Sequence, residues 1–388
     1  MRKTWQRGLV GATRWFLLIC VGVLLVGVVA AWTPMGKTAE GDRLKRIQAS
    51  PQWQDGHFEN PQPMWNDVVG SITGVFGTSP YVSPTEPMGL QRVDPAVFNS
   101  PPPTGLRVTW LGHSTMLIEV DGVRVLTDPM WGERASPLEW VGPKRWYQPL
   151  LPLEKLPPID VVVISHDHFD HLNYPTLSAM KDWNTQFVVP LGIGAHLAYW
   201  GIAETKIHEV DWWERVSIGG IEVVSTPARH ASGRMGWDYG ATLWSGYALI
   251  GAQHRVYYSG DTGLFPAMTE IGERLGPFDL TLIEAGQYGA AWPDWHLGPE
   301  QAVKAHQMVK GKVMMPIHWA LFALAFHGWT EPPERVLVAA QTAGVTTLIP
   351  PPGQSVEPEN PPPPTRWWPN LPWNTADQDP IIARGIAP

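Results

Sequence analysis

The sequence predicts an α/β protein in which β-sheets are flanked by helices. Three features predict it. "IDVVVISH", 159–166, is a near-continuous apolar run, as expected of a strand buried on both faces. "TMLIEVDGVRVLTDP", 115–129, places two β-rich runs on either side of Asp121-Gly122, a strong hairpin signal. "GPEQAVKAHQMVK", 298–310, opens a helical pattern with Pro299 and Glu300 in its first turn. Hairpins mixed with strand–helix units put helices against sheets.

In chain order, residues 1–14 are a basic tail with Arg2, Lys3, Arg7 and Arg14. Trp15 to Trp32 carries no charge and is about as long as a minimal bilayer span. The positive charge ahead of it favours a cytoplasmic N-terminus. The expectation is an uncleaved single-pass anchor in a bacterial inner membrane, with the following domain in the periplasm. A cleaved signal peptide is the alternative, and "VVAAW" only half fits its cleavage site. Lys37, Arg43, Lys45 and Arg46 weaken the orientation signal. A lipoprotein is excluded because Ile19, not a small residue, precedes Cys20.

Residues 33–105 are rich in Pro, Gly and Trp and read as an extended arm, with a short apolar helix near "WNDVVGSITGVF". The regular part is 106–350. Its strands are "LRVTWLG", the hairpin above, "IDVVVISH", "QFVVP", "RVSIGGIEVVSTP", "GYALIGAQHRVYYSGD", "FDLTLIEAG" and "KVMMPIH", with a helix at "PTLSAMKDW". Two β-rich halves fit this order. Residues 351–388 are proline-dense and read as a polyproline-like strap.

The net charge of −8 argues against a nucleic-acid partner. The single cysteine lies in the apolar run, so any metal site in the main domain must use histidine, carboxylate and water. Such a site is signalled at "SHDHFDH". His166, His168 and His171, three of thirteen histidines, fall within six residues together with Asp170. Imidazole and carboxylate are ligands suited to zinc. The alternative is a solvated acidic loop. Partners appear where other apolar runs end: His230 after "IEVVSTPAR", Asp261 after "RVYYSG" and His318 after "KVMMPI". A lone polar residue after a strand is common, but the set points to one sheet edge.

"LGHSTMLI", "HDHFDHLN", "SGDTG", "HLGPEQAV" and "PIHWALF", with "FENPQP" upstream, resemble the metallo-β-lactamase superfamily. Within it they are most similar to the N-acylphosphatidylethanolamine phospholipase D-like subgroup. The resemblance implies an αββα sandwich and a hydrolase with two Zn2+ per chain, other divalent metals being compatible. It assigns His166, His168 and His230 to the first ion. It assigns Asp170, His171 and His318 to the second, and Asp261 to both. It implies catalytic roles for Asp261, for Asp170 as acceptor of the water's proton, and for His296 near the substrate. A solvent-facing position at a helix start is the alternative for His296. His113 reads as structural at the site floor, and Asp128 as orienting a ligand histidine. Arg229 and Arg234 either pair with a phosphate or are solvated. Among the 22 tryptophans, Trp292, Trp295, Trp319 and Trp329 fall near the site loops, where an aromatic rim suits an acyl chain or a membrane interface; the alternative, taken for most of the tryptophans, is ordinary core and proline stacking.

The leading expectation is therefore a membrane-anchored phosphodiesterase acting on phospholipid. A lactonase or other carboxylic-ester or amide hydrolase of the same fold is one alternative. A non-catalytic, zinc-stabilised envelope assembly module is another. The sequence is silent on oligomeric state.

Overall fold

The computed structural model describes residues 2–385. Fourteen strands make two seven-stranded sheets. The first sheet runs in chain order through β1 (Leu106–Gly112), β2 (Thr115–Val120), β3 (Val123–Thr127), β4 (Val161–Val163), β5 (Gln186–Pro190) and β6 (Ile207–Val210). The second runs through β7 (Arg215–Ile218), β8 (Ile221–Thr226), β9 (Gly246–Ile250), β10 (Arg255–Tyr258), β11 (Phe278–Glu284), β12 (Gly311–Ile317) and β13 (Thr346–Thr347). A late strand, β14 (Ser355–Val356), adds to the first sheet beside β1. Each sheet begins as an antiparallel meander and finishes parallel, from β3 onward in one and from β10 onward in the other.

Asp121 and Gly122 both adopt positive φ, 49° and 89°. That twist lets a two-residue turn close the β2–β3 hairpin. The strand predicted to be buried on both faces is so. Val161 and Val163 join the core shared with the second sheet, whereas Val162 and Ile164 join a second cluster with Leu177, Ile193 and Leu197. Those last three come from α4 (Tyr174–Ala179) and α5 (Ile193–Tyr199). Asn173 caps α4, its side-chain oxygen accepting from the Thr176 N–H at 3.2 Å. On the other side, α6 (Ala267–Leu275), α7 (Pro299–Met308) and α8 (Glu331–Ala343) pack on the second sheet and on each other. The layers are helix, sheet, sheet, helix.

The first helix, α1 (Arg2–Met35), passes the expected end of the apolar run at Trp32. Its stretch Trp15–Met35 has a mean hydropathy of 2.6 and is long and apolar enough to cross a membrane. The arm that follows holds α2 (Gly41–Gln48), a two-residue-strand hairpin, and α3 (Val68–Thr73) inside the predicted apolar helix. The C-terminal segment lies along the domain. Trp368 Nε1 donates to Glu334, and the side chain of Ile381 sits where a Cβ on Gly298 would fall.

The strand ends decide where chemistry can happen. β3, β4, β8, β10, β11 and β12 are followed at their C-terminal ends by Asp128, the His166–His171 loop, His230, Asp261, the loop to His296, and His318. All of these reach one edge of the sandwich, the place where α/β sheets gather ligands.

Candidate metal centre

The His166–His171 loop is a tight turn, with the N–H groups of His171 and Leu172 both donating to the His168 carbonyl. It brings three imidazoles together with His230. His166 Nε2 is 2.9 Å from His168 Nδ1, and His168 Nδ1 is 3.4 Å from His230 Nε2. A second group forms beside it. His171 Nε2 lies 3.2 Å from Asp170 Oδ2, and its ring stacks on that of His318. Asp261 stands between the groups. Its carboxylate oxygens are 3.1 Å from His318, 3.2 Å from His171, and 3.9 Å from both His166 and His230. The structure therefore brings together all seven residues singled out as ligands.

Four of them, His171, His318, His230 and Asp170, are braced from behind. The Asp128 carboxylate accepts from the Ser165 N–H and hydroxyl, the Tyr258 hydroxyl and His171 Nδ1. This holds His171 with Nε2 forward, the ligand-orienting role expected of Asp128. Ser114 Oγ meets His318 at 3.0 Å, and the Trp295 carbonyl meets His230 Nδ1 at 2.9 Å. His113 is fully buried and touches Asp170 at 2.8 Å, at the site floor as expected. His113, Asp128 and His318 have φ of 53°, 35° and 68°. Left-handed backbone in a non-glycine residue costs on the order of 1–3 kcal/mol, and it clusters at functional sites.

The electrostatics call for cations. Burial alone would discharge His171, but the carboxylates of Asp261, Asp170 and Asp128 outweigh it and push its pKa well above the usual histidine value. Burial, with neighbouring imidazoles adding to it, holds His166, His230 and His318 well below theirs. Burial raises Asp261 to about 6, with His171 opposing and Glu284 adding to the rise. Neutral imidazoles at His166, His230 and His318, and a cation drawn to the carboxylates around His171, are what a metal in this place would meet. His171 Nε2 and Asp261 Oδ1 are buried with no hydrogen-bond partner. The ligand atoms of His166, His168 and His230 lie within 4.8 Å of one another, as do those of His113, Asp170, His171 and His318. The same holds for His166, His171 and Asp261, which link the two groups. The donor set fits a pair of zinc-like cations.

Sequence reasoning missed three carboxylates. Glu284 is fully buried at the end of β11, and its Oε2 is 2.8 Å from His296 Nδ1. It terminates an apolar run, the same signal that marked His230, Asp261 and His318. Burial holds its pKa well above the usual carboxylate range. Asp294 is also fully buried. It accepts the N–H groups of Trp65 and Arg384 and pairs with Arg229 at 3.0 Å. Asp167, within the histidine loop, takes the Gly233 N–H and the Thr242 hydroxyl.

His296 does not face solvent as a plain helix-start residue would. With Nδ1 against Glu284, its other nitrogen is left for the cleft. Arg229 and Arg234 correct the expectation of phosphate-pairing or solvated residues, since both are buried. Arg229 is spent on Asp294 and on the carbonyls of Leu264, Pro63 and Arg384. Arg234 holds the carbonyls of Asp167 and Leu172 on one side and those of Pro34 and Met35 on the other. Trp319 and Trp329 take the core alternative. They pack in the core with Trp110, Trp146 and Trp367 rather than at a rim. Trp292 and Trp295 do reach the site. With Leu324 and Phe326 they form the apolar wall of a cleft of about 380 Å³ whose floor is the donor cluster.

Residues 123–319 match the β-lactamase superfamily domain. An uncharacterized protein of Mycobacterium tuberculosis is 41% identical over 350 residues, covering 87% of this chain and 92% of its own. The N-acyl-phosphatidylethanolamine-hydrolyzing phospholipase D 1 of Caenorhabditis elegans is 39% identical over 240 residues, 59% of this chain and 67% of that protein. The metallo hydrolase Igni18 of Ignicoccus hospitalis superposes with a TM-score of 0.50 at 24% identity, covering 65% of this chain and 97% of its own, which shows a shared fold.

Proposed function

Since the chain belongs to the β-lactamase superfamily, with the metallo-β-lactamase fold, we propose that it is a two-zinc hydrolase of phospholipid phosphodiesters, of phospholipase D type. The observation that carries this reading is the position of Asp261 between two histidine groups, beneath an aromatic-walled cleft. The nematode relative supports the phosphodiester bond.

His166, His168 and His230 would hold one ion, Asp170, His171 and His318 the other, and Asp261 both. Zinc bound there would supply a Lewis acid and a water acidic enough to act as nucleophile near neutral pH. The residues do the rest. Asp128, Ser114 and the Trp295 carbonyl keep the ligand rings in one orientation. Asp170 is the carboxylate at the cleft floor placed to take a proton. His296, steadied by Glu284, delivers a proton to the departing head-group oxygen. Trp292, Trp295 and Phe326 receive the apolar part of the lipid and keep water out. Water adds across one P–O bond, so phosphatidic acid keeps the phosphoryl group and an amino alcohol or its N-acyl derivative leaves.

In this reading 106–350 is the hydrolase domain, with 33–105 and 351–388 as arms. The helix ending at Met35 is an inner-membrane anchor with the domain on the periplasmic side. Its length, its hydropathy and the basic residues before it support that placement.

The test is His296→Ala in purified protein. Turnover of N-acylated phosphatidylethanolamine should fall by roughly 10²–10⁴-fold. Elemental analysis should still give two zinc ions per chain. Mass spectrometry should show phosphatidic acid. Diacylglycerol with a phosphorylated head group, or rapid lactone opening without lipid turnover, overturns the reading.

A further inference from the structure

Helix α3 and the 3-10 turn that continues it, Gly74–Gly77, form one apolar segment. It packs the opposite way to an ordinary amphipathic helix. Its small residues face the protein. A Cβ on Gly70 would fall 3.3 Å from the Ala291 side chain, and one on Gly74 would fall 2.5 Å from the Phe326 ring. Its large residues face out: Val68, Val69, Ile72 and Val75 are all more than half exposed, and Phe76 is 90% exposed. Val68, Ile72, Val75 and Phe76 follow the i, i+4, i+7, i+8 spacing of a single stripe. No charged residue occurs from Val68 to Thr85. The stripe stands on the rim of the cleft, because Asn66, Ser71 and the supporting Phe326 line it.

A contiguous exposed apolar surface marks an interaction site. Two observations choose its occupant. The surface offers no charge for a polar partner to match. The same chain also carries the apolar helix Trp15–Met35, whose last carbonyls are bonded to the domain, Thr33 by Trp200 and Pro34 by Arg234. A domain fixed to the end of a membrane-crossing helix meets a bilayer before it meets any other partner. We propose that segment 68–77 is a lip that dips into the lipid surface and sets the cleft mouth at the boundary between hydrocarbon and water. Its purpose rests on the phospholipid reading above, but its test does not. Being uncharged, the lip binds through buried apolar area and needs no anionic lipid.

The experiment uses the full zinc-loaded chain in phosphatidylcholine nanodiscs. Cys20 is replaced by serine, and a single fluorophore-labelled cysteine is placed at Phe76, at Ile72 or, as a control, at exposed Glu273 on α6. Lipids brominated in the acyl chain should quench labels 76 and 72 and leave 273 bright, at low and high salt alike. An unquenched label 76 overturns the lip. So does disulfide pairing of two Phe76→Cys chains in place of quenching, which would mean that a second copy covers the stripe. In parallel, the double variant Val69→Asp/Phe76→Asp should raise KM for phospholipid in discs by roughly tenfold or more. It should leave zinc content and turnover of a water-soluble short-chain substrate unchanged. Quenching without phospholipid hydrolysis keeps the lip and removes the substrate reading. Hydrolysis without quenching does the reverse.

Discussion

The two walls of the metal centre are held by different parts of the chain. The His166–His171 wall is fixed from inside the sandwich. Asp128 at the end of β3, Ser165 after β4 and Tyr258 on β10 make its hydrogen bonds. The His296 wall is fixed from the chain ends. Asp294, two residues before His296, is bonded by Trp65 of the N-terminal arm and Arg384 of the C-terminal segment. Arg229, beside His230, closes the same knot through Pro63 and Arg384. The side chains of the histidine loop are thus braced chiefly by the sheets, with Arg234 tying its backbone to the N-terminal segment, and the loop that carries His296 is braced chiefly by the arms, with Glu284 holding its ring.

The sharpest way to break that contrast is Asp294→Asn. It strips the charge partner from fully buried Arg229, which should cost about 3–5 kcal/mol of stability. Turnover should fall with it, while zinc content in the folded fraction holds. Urea denaturation and elemental analysis check this, and loss of zinc in proportion to stability would merge the two walls into one.

A smaller effect should appear on acidification. His306 lies near the end of α7, with Nδ1 2.7 Å from the Thr281 hydroxyl, and burial lowers its pKa from 6.5 to about 4. In the unfolded chain it binds its proton near 6.5, in the folded chain only near 4. Its stabilising effect is therefore complete above pH 6.5, declines as pH falls towards 4, and changes no further below that. The loss is on the order of 3 kcal/mol. His306→Gln should flatten this part of the curve in urea midpoints taken from pH 7 to pH 4.

Asp128→Asn probes the inner wall and should have the mildest effect. Removing a group that orients a ligand histidine costs roughly 10–100-fold in metal affinity. Competition against a chelator should show that loss, with the Asp294 knot and overall stability little changed.

Most of the fold, and the clustering of the seven candidate residues, were legible because each of them lies just after an apolar strand. The sheet order then carries all of those ends to one edge. What escaped was held together by backbone. Arg234 bonds carbonyls of Pro34, Met35, Asp167 and Leu172, and no side-chain pattern announces a carbonyl. Trp319 follows His318 directly, yet its ring packs on Trp110 and Trp367 inside the fold, so nearness in sequence misplaced it. Glu284 gave the same strand-end signal as Asp261, but it belongs to no histidine-rich motif and so drew no notice.

Arg234 also limits how the chain can be matured. Its guanidinium joins the last turn of the apolar helix to the backbone of the histidine loop, and its face lies over the ring of Phe169 at 4.1 Å. A protease cutting upstream of Thr33 would separate the domain from the apolar helix with every one of these acceptors still in place. A cut after Met35 would take two carbonyls from a buried cation, at about 1.5–3 kcal/mol for each lost bond to a charged group. The three residues Thr33 to Met35, the end of an apolar helix by sequence, are by their bonding part of the enzyme's interior frame. Trimming the apolar helix and sparing the domain are compatible on only one side of them.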